Sequence, residues 1–300
     1  MPDLFAALPP LMLGTAQLGM PYGLGAARAG IGEPAARAIL DEAWARGIRG
    51  LDTARTYGDA EARVGRWLSG RLLARRPFVV SKFPPLVEGE RADAVEGALE
   101  ATLRALGIGQ IDLYLAHRGA DLLRPGIAEA LRAFVADGKI GAFGASIYDD
   151  DEGRSLLDVS GLAALQLPLH LANTAAARSG LLDAAARRGV AVFARSVFLQ
   201  GLLLADPRAL DPFFTAAAPA LRRLEGLARR AGTTRAALAI AAVRALPAVA
   251  SIVVGVDSVA QLAETLAAHA ERLGRDAIDE ALAIGRDFPR TLADPRRWKL

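Results

Sequence analysis

Cysteine is absent from this chain of 300 residues. Its absence excludes disulfide frameworks, thiolate nucleophiles and cysteine-held metals together, and it suits the reducing cytoplasm, where we expect the protein to reside. A basic leader is lacking too: the opening MPDLFAALPPLMLG has no positive n-region, so no secretory signal is expected. There is no uninterrupted apolar span. The most apolar segment, ALAIAAVRALPAVASIVVGV, is broken by Arg244 and Pro247 and reads as a buried helix followed by a strand, so no membrane partner is expected. Charge of one sign does not dominate, because 36 basic residues face 33 acidic ones. The arginines are scattered along helical segments rather than gathered in a stripe, which argues against a nucleic-acid partner. No G-x-G-x-x-G opens a helix after a first strand, so a Rossmann domain has no support. No linker-like or low-complexity stretch divides the chain, and we expect one domain over residues 1–300.

What is present is an alternation. With 52% hydrophobic and 23% charged residues the chain can bury a large core. Short apolar runs fall near 11–17, 50–54, 78–83, 112–117, 142–146, 164–169, 191–196 and 251–256. Between them lie alanine- and arginine-rich segments with apolar residues three or four apart, such as EPAARAILDEAWARG and ADAVEGALEATLRALG. Gly47, Gly107, Gly138 and Gly189 stand just past such segments, where a helix C-cap favours glycine. Strands that are nearly continuous in hydrophobicity and separated by helices imply a parallel sheet covered on its outer face. Eight of them at this length predict an α/β fold, a closed (β/α)8 TIM barrel.

A barrel of this kind carries its chemistry at the C-terminal ends of its strands. There the sequence places Asp52 after strand 2, with Tyr57 in the loop beyond, Lys82 inside the apolar strand FVVSKF, and His117 closing DLYLAH. Each has an ordinary explanation. Lys82 and Asp52 could form a purely structural pair, His117 could fill a strand end, and Tyr57 could be a surface residue. A lysine in a buried strand demands a partner, and the carboxylate on the adjacent strand is the nearest candidate. With Lys82 and His117 close by, the Tyr57 phenol is expected to have a lowered pKa and to exchange a proton near neutral pH. A group that trades a proton with an oxygen, without a nucleophile or a metal cluster, suits carbonyl–alcohol interconversion with an external hydride source.

GIRGLDTARTYGDAEARVG, VVSKF and DLYLAHR resemble the signature of the aldo-keto reductase superfamily, and the resemblance runs from MLGTAQLG to VVGVDSVAQLAET. It implies a (β/α)8 barrel, a nicotinamide dinucleotide (NADP or NAD) and a small carbonyl or sugar substrate. It also implies a catalytic tetrad of Asp52, Tyr57, Lys82 and His117. Cofactor contacts carry over as Ser146 and Gln166 toward the nicotinamide amide, the latter two at the ends of strands 5 and 6. The stretch RSVFLQGLL, with Arg195, Ser196, Val197, Leu199 and Gly201, corresponds to the loop around the pyrophosphate, and Gly255, Ser258 and Gln261 to the adenosine end. The chain departs from the family pattern in three places. Ile147 replaces the asparagine after Ser146, and Arg195 replaces a tyrosine that stacks on the nicotinamide. No lysine or arginine stands in residues 255–265, where a 2′-phosphate grip is usual and Asp257 is found instead.

Two other readings remain open. One is a non-catalytic dinucleotide-binding sensor or accessory subunit of the same fold. The other is a metal-dependent barrel hydrolase using Asp52, His117 and His170. Pocket walls are expected from the loops spanning 20–33, 83–90, 118–125 and 196–217, and Tyr22, Arg118, Tyr148 and Phe198 are candidate lining residues. His170 and His269 are expected to be a loop and a surface residue, and Trp44 and Trp67 to pack between helices. Trp298, in the basic tail RTLADPRRWKL, either borders the substrate or packs outside.

Overall fold

The structure is a computed structural model, and it describes residues 8–24, 30–69 and 76–298. Its strands are β1 (Leu11–Gly14), β2 (Gly50–Asp52), β3 (Phe78–Phe83), β4 (Ile111–Ala116), β5 (Ile140–Ser146), β6 (Leu162–Pro168), β7 (Ala191–Arg195) and β8 (Val249–Gly255). They pair in parallel in sequence order, and β1 closes on β8 through Leu13↔Val254 and Gly14↔Gly255. The sequence predicts this barrel. Helices α1 (Ala16–Gly19), α2 (Glu33–Ala45), α3 (Ala60–Ser69), α4 (Ala92–Leu106), α5 (Ile127–Ala136) and α6 (Asp150–Leu156) follow the earlier strands. Helices α7 (Ala175–Arg178), α8 (Leu181–Arg187), α9 (Ala218–Arg230), α10 (Arg235–Arg244), α11 (Val259–Ala270) and α12 (Arg275–Arg286) complete the set. The apolar segment with Arg244 and Pro247 is α10 followed by β8, as expected. Among the described residues no helix is long and apolar enough to cross a membrane. All four glycine stops adopt left-handed backbone.

Side chains of a strand alternate between its two faces, so in a barrel every second residue points to the interior. Met12, Val80, Leu113, Leu115, Ala164, Phe193 and Val253 form a separate inner cluster. Their neighbours Leu13, Val79, Tyr114, Leu165, Val192 and Val254 belong to the larger outer core against the helices. The inner parity then extends to the strand ends. Lys82 follows Val80 by two residues, Gln166 follows Ala164, Arg195 follows Phe193 and Gly255 follows Val253. Asp52 sits opposite Val80 in the β2–β3 register and shares its direction. The hydrophobic pattern that builds the barrel floor thus also aims the polar residues into its mouth.

One predicted boundary is corrected. The run at 11–17 leaves the sheet at Gly14, because the Thr15 N–H and hydroxyl both donate to the Asp52 carbonyl, at 2.9 and 3.1 Å. The chain then turns into α1. That turn abuts the loop carrying Tyr57. A Cβ on Gly19 would stand 2.1 Å from the Tyr57 carbonyl oxygen, and one on Gly58 would stand 2.3 Å from the Gly19 oxygen. Gly58 also has φ +57. Gly58→Ala is therefore expected to cost about 1–3 kcal/mol through overpacking and left-handed strain, read as a lowered urea midpoint. It should also lower turnover, because the displaced residue adjoins Tyr57.

Candidate active site

Lys82 is fully buried. Its Nζ donates to Asp52 Oδ1 at 2.7 Å and to the Thr53 carbonyl at 2.9 Å. Asp52, also buried, accepts a second bond on Oδ2 from Gln166 Nε2 at 2.7 Å, a residue 114 positions away on β6. The Lys82 Nζ lies 5.0 Å from the Tyr57 ring centroid, and the Tyr57 and His117 rings meet edge-on with centroids 5.7 Å apart. The four residues that the sequence brings together by motif are thus gathered by the fold as well. The His117 N–H is held by the Phe83 carbonyl at 3.2 Å, and its Nδ1 lies 3.0 Å from the Thr56 hydroxyl.

The electrostatics correct one expectation. The Tyr57 pKa is raised well above its ordinary value, first by burial and then by the Asp52 charge, while Arg195 opposes the shift. The lowering expected from Lys82 is therefore not found, since burial and the Asp52 charge dominate at the phenol. The Lys82 pKa falls, since burial outweighs the favourable pairing with Asp52. His117 is driven down to about 3 by burial and by the nearby Lys82 and Arg195 charges, so its imidazole is neutral at working pH. The Thr56 hydroxyl can donate to Nδ1, which leaves the imidazole proton on Nε2 for a substrate oxygen.

A cleft of about 910 Å3 opens over this network. Tyr57, Asp52, Gly255, Asp257, Gln261, Arg195, Ser196, Val197 and Gly201 are among its walls. Tyr22 and Phe198 also line it, as expected of them. A second cleft, of about 620 Å3, shares Tyr22, Arg195, Ser196 and Gln200 with the first and is completed by Tyr148 and the segment Ala293–Arg296. Several candidate residues lie elsewhere. Leu199 is fully buried in the outer core rather than at the wall. The Ser258 hydroxyl caps α11 by accepting from the Gln261 N–H at 3.1 Å. Ser146 and Gln166 are buried and do not line either cleft. Arg118 is tied to Asp121 at 2.5 Å. Residues 25–29 of the first loop lie outside the described residues.

His170 lies in the loop after β6, as expected, but it is completely buried, its backbone bridged to Asn173, and it walls neither cleft. Among the described residues no three of His, Asp and Glu are grouped to hold a metal ion, so the hydrolase arrangement has no support. His269, expected at the surface, is only partly exposed, and Arg244 and Arg272 donate to its carbonyl. Trp44 and Trp67 pack edge-on at 6.0 Å, and Trp298 packs on Phe214 at 4.8 Å.

Residues 10–285 match the sequence model of the Aldo/keto reductase family. The chain belongs to that family. It is 30% identical over 181 residues to the aldo-keto reductase str7 of Strobilurus tenacellus, a match covering 58% of this chain and 54% of that protein. The chain thus spans about half the length of that relative. It is 29% identical over 224 residues to the 6-dehydroglucose reductase of Novosphingobium aromaticivorans, covering 72% of each. In fold it superposes on the holo form of the aldo-keto reductase AKR11C1 from Bacillus halodurans with a TM-score of 0.77. That comparison covers 96% of this chain and 95% of the other at 21% identity.

Sequence reading missed several residues at or beside this site. Gln17 lies over Gly255, where a Cβ would meet its Oε1 at 2.0 Å. Glu61 is buried and joins the Tyr57 loop to β3, accepting from Arg55 at 2.9 Å and from the Ser81 hydroxyl at 2.7 Å. A glutamate in the stretch YGDAE was its only signal. Asn173 and Asp294 also wall the second cleft.

The buried histidines give a pH prediction. Burial lowers His170 to about 4. An imidazole with a depressed folded pKa adds stability above its unfolded value near 6.5, and that stability is lost as the pH falls toward the folded value. His170→Phe should therefore flatten the loss of stability between pH 7 and pH 5 by up to about 2 kcal/mol, measured by urea unfolding at each pH.

Proposed function

We propose that the protein interconverts a small carbonyl compound, such as an aldehyde, a ketone or a sugar lactone or lactol, and the corresponding alcohol. The cofactor is a nicotinamide dinucleotide, and Tyr57 is the general acid or base. The observation that carries this reading is the buried Asp52–Lys82–Gln166 network, with the Tyr57 and His117 rings in contact beside it and Tyr57 and Asp52 lining the first cleft. When bound, the dinucleotide supplies the hydride. The chain's residues suit it. Gln166 Oε1 is buried beneath the first cleft's Asp52 wall with no partner among the described residues, while the other end of that amide is bonded to Asp52, an unmet acceptor of the kind a carboxamide NH2 would answer. The side walls, with Ser196 and Gly201 in left-handed backbone, can take the pyrophosphate, and Gln261 with Gly255 can take the adenosine end.

The chain's own share of the chemistry is proton control. Because burial and Asp52 raise the Tyr57 pKa, the phenol keeps its proton across the neutral range and is a donor to a carbonyl oxygen. The neutral His117 donates a hydrogen bond to the same oxygen without adding charge, and Arg195 favours the oxygen as negative charge develops on it. These roles favour carbonyl reduction over alcohol oxidation. We place the activity in the cytoplasm, on the strength of the missing cysteine.

Tyr57→Phe should lower kcat by about 10²–10⁴-fold while dinucleotide binding, followed by nicotinamide fluorescence, persists. Failure of the intact protein to turn over any member of a carbonyl panel, with dinucleotide still binding, would favour a sensor or accessory subunit. Because residues 255–265 hold no lysine or arginine, NADH is expected to bind at least as tightly as NADPH in parallel titrations. A large preference for NADPH would overturn that expectation, and binding of neither would remove the oxidoreductase reading.

A further inference from the structure

The second cleft contains a cation whose part in the reaction above is only the field it exerts at the reacting end. Arg195 follows the inner parity of β7 to the barrel mouth and forms a wall common to both clefts. Among the described residues it has no ion pair with a carboxylate. Its Nη2 donates to the Ile147 carbonyl at 3.2 Å. Its guanidinium carbon lies 4.3 Å from the Tyr148 ring centroid, and that of Arg296 lies 4.0 Å from the same centroid. Two planar groups cannot share one ring face at that distance, so Tyr148 is held between them. The two arginines differ in compensation. Arg296 is paired with Asp294 at 2.8 Å, and Arg297 approaches the same carboxylate at 3.7 Å. Asp149 is the remaining acid near Arg296. The charged walls of the second cleft are therefore Arg195, Arg296 and Asp294, one positive charge in excess, and the excess belongs to Arg195.

That charge also reaches the reacting end. Arg195 acts on Tyr57, His117 and Lys82, so a molecule with its carbonyl at Tyr57 would extend past Arg195 into the second cleft. Stacking on Tyr148 occupies one face of the guanidinium and fixes its plane, leaving N–H edges for a ligand. Such a fork matches the two oxygens of a carboxylate or phosphate. The amide of Asn173 and the hydroxyl of Tyr22, on the same walls, add further hydrogen-bonding groups.

From this geometry we propose that the second cleft is the substrate-recognition site and selects carbonyl compounds bearing an oxyanion, a carboxylate or a phosphate, which Arg195 binds. The proposal rests on the oxidoreductase reading and adds the substrate class. It makes Arg195 a specificity residue facing substrate rather than a platform for the nicotinamide ring.

The test compares matched pairs: succinic semialdehyde against butanal, and glycolaldehyde phosphate against glycolaldehyde. Wild-type protein should favour the anionic member of at least one pair by about ten- to a hundredfold in kcat/KM, expressed mainly in KM. The preferred pair tells carboxylate from phosphate. In Arg195→Met that ratio should fall toward one whatever happens to the absolute rates, and Arg195→Lys should retain part of it. Should Arg195→Met fail to fold, judged by circular dichroism, the wild-type ratio and the Lys variant still decide. Equal use of both members by wild-type protein would overturn the proposal. So would an unchanged ratio in Arg195→Met together with weakened NADH binding, because that result makes Arg195 a cofactor contact. Absence of turnover on every substrate, with NADH binding intact, is distinguishable from both: it removes the catalytic reading and this proposal with it.

Discussion

The structure of the site depends on a charge placed where water cannot reach it. An ammonium buried without partners would cost several kcal/mol, and Lys82 is completely buried. Its position is tolerable because Asp52 and the Thr53 carbonyl accept from it, and because Gln166 occupies the other oxygen of that carboxylate. Three strands, β2, β3 and β6, are thereby joined by side chains as well as by the sheet. Removing a single partner would leave a buried charge or a buried carboxylate oxygen unanswered, a larger loss than the pair's own net contribution. The network consequently limits which residues the barrel mouth can carry, independently of catalysis.

The same pairing determines how Tyr57 behaves. A cation beside a phenol suggests an acidified tyrosine, and that is the natural reading of Lys82 from sequence. The expectation fails because burial penalises the phenolate most, and the carboxylate that makes a buried lysine possible raises the phenol's pKa as well. What remains to favour negative charge at that point is Arg195, on the opposite side of the barrel mouth. The tyrosine is thus kept as a protonated acid, and the stabilisation of a developing oxyanion is shared between a neutral imidazole and a guanidinium.

Most of the barrel was legible because its determinants are local and periodic. The runs FVVSKF and DLYLAH declare strands by their continuity, and a lysine inside one of them demands a nearby acid. Glycines mark where the intervening helices stop. The parts that were not legible depend on contacts between distant positions. The Gln166–Asp52 bond joins residues 114 apart. Neither strand's pattern hints at it, although the resemblance had marked Gln166 for another role. The burial of His170 was not legible, because a single histidine after a strand carries no record of the chain that later covers it. Leu199 has a place in RSVFLQGLL that marks a cofactor contact, and the pattern does not show that its side chain is buried in the outer core. The first strand was read too long because Thr15 leaves the sheet through bonds to the Asp52 carbonyl, which an apolar pattern cannot disclose.

This division has a functional consequence. Asp52, Lys82 and His117 lie on or just past strand ends whose direction is set by the inner-core parity, and the Tyr57 loop is packed against α1 at Gly19 and Gly58. The second cleft is assembled differently. Tyr148 comes from the loop after β5, Asn173 from the loop after β6, and Asp294 and Arg296 from the segment beyond α12, and none of these follows a period. Only Arg195 belongs to both groups, a strand-end residue whose ring partner is supplied by a loop and whose neighbouring cation comes from the C-terminal segment. Substitutions in those segments can therefore alter what the second cleft accepts without disturbing Lys82 or Tyr57. A change at Arg195 reaches both, since its charge acts on Tyr57 and His117 as well as on the cleft beyond them.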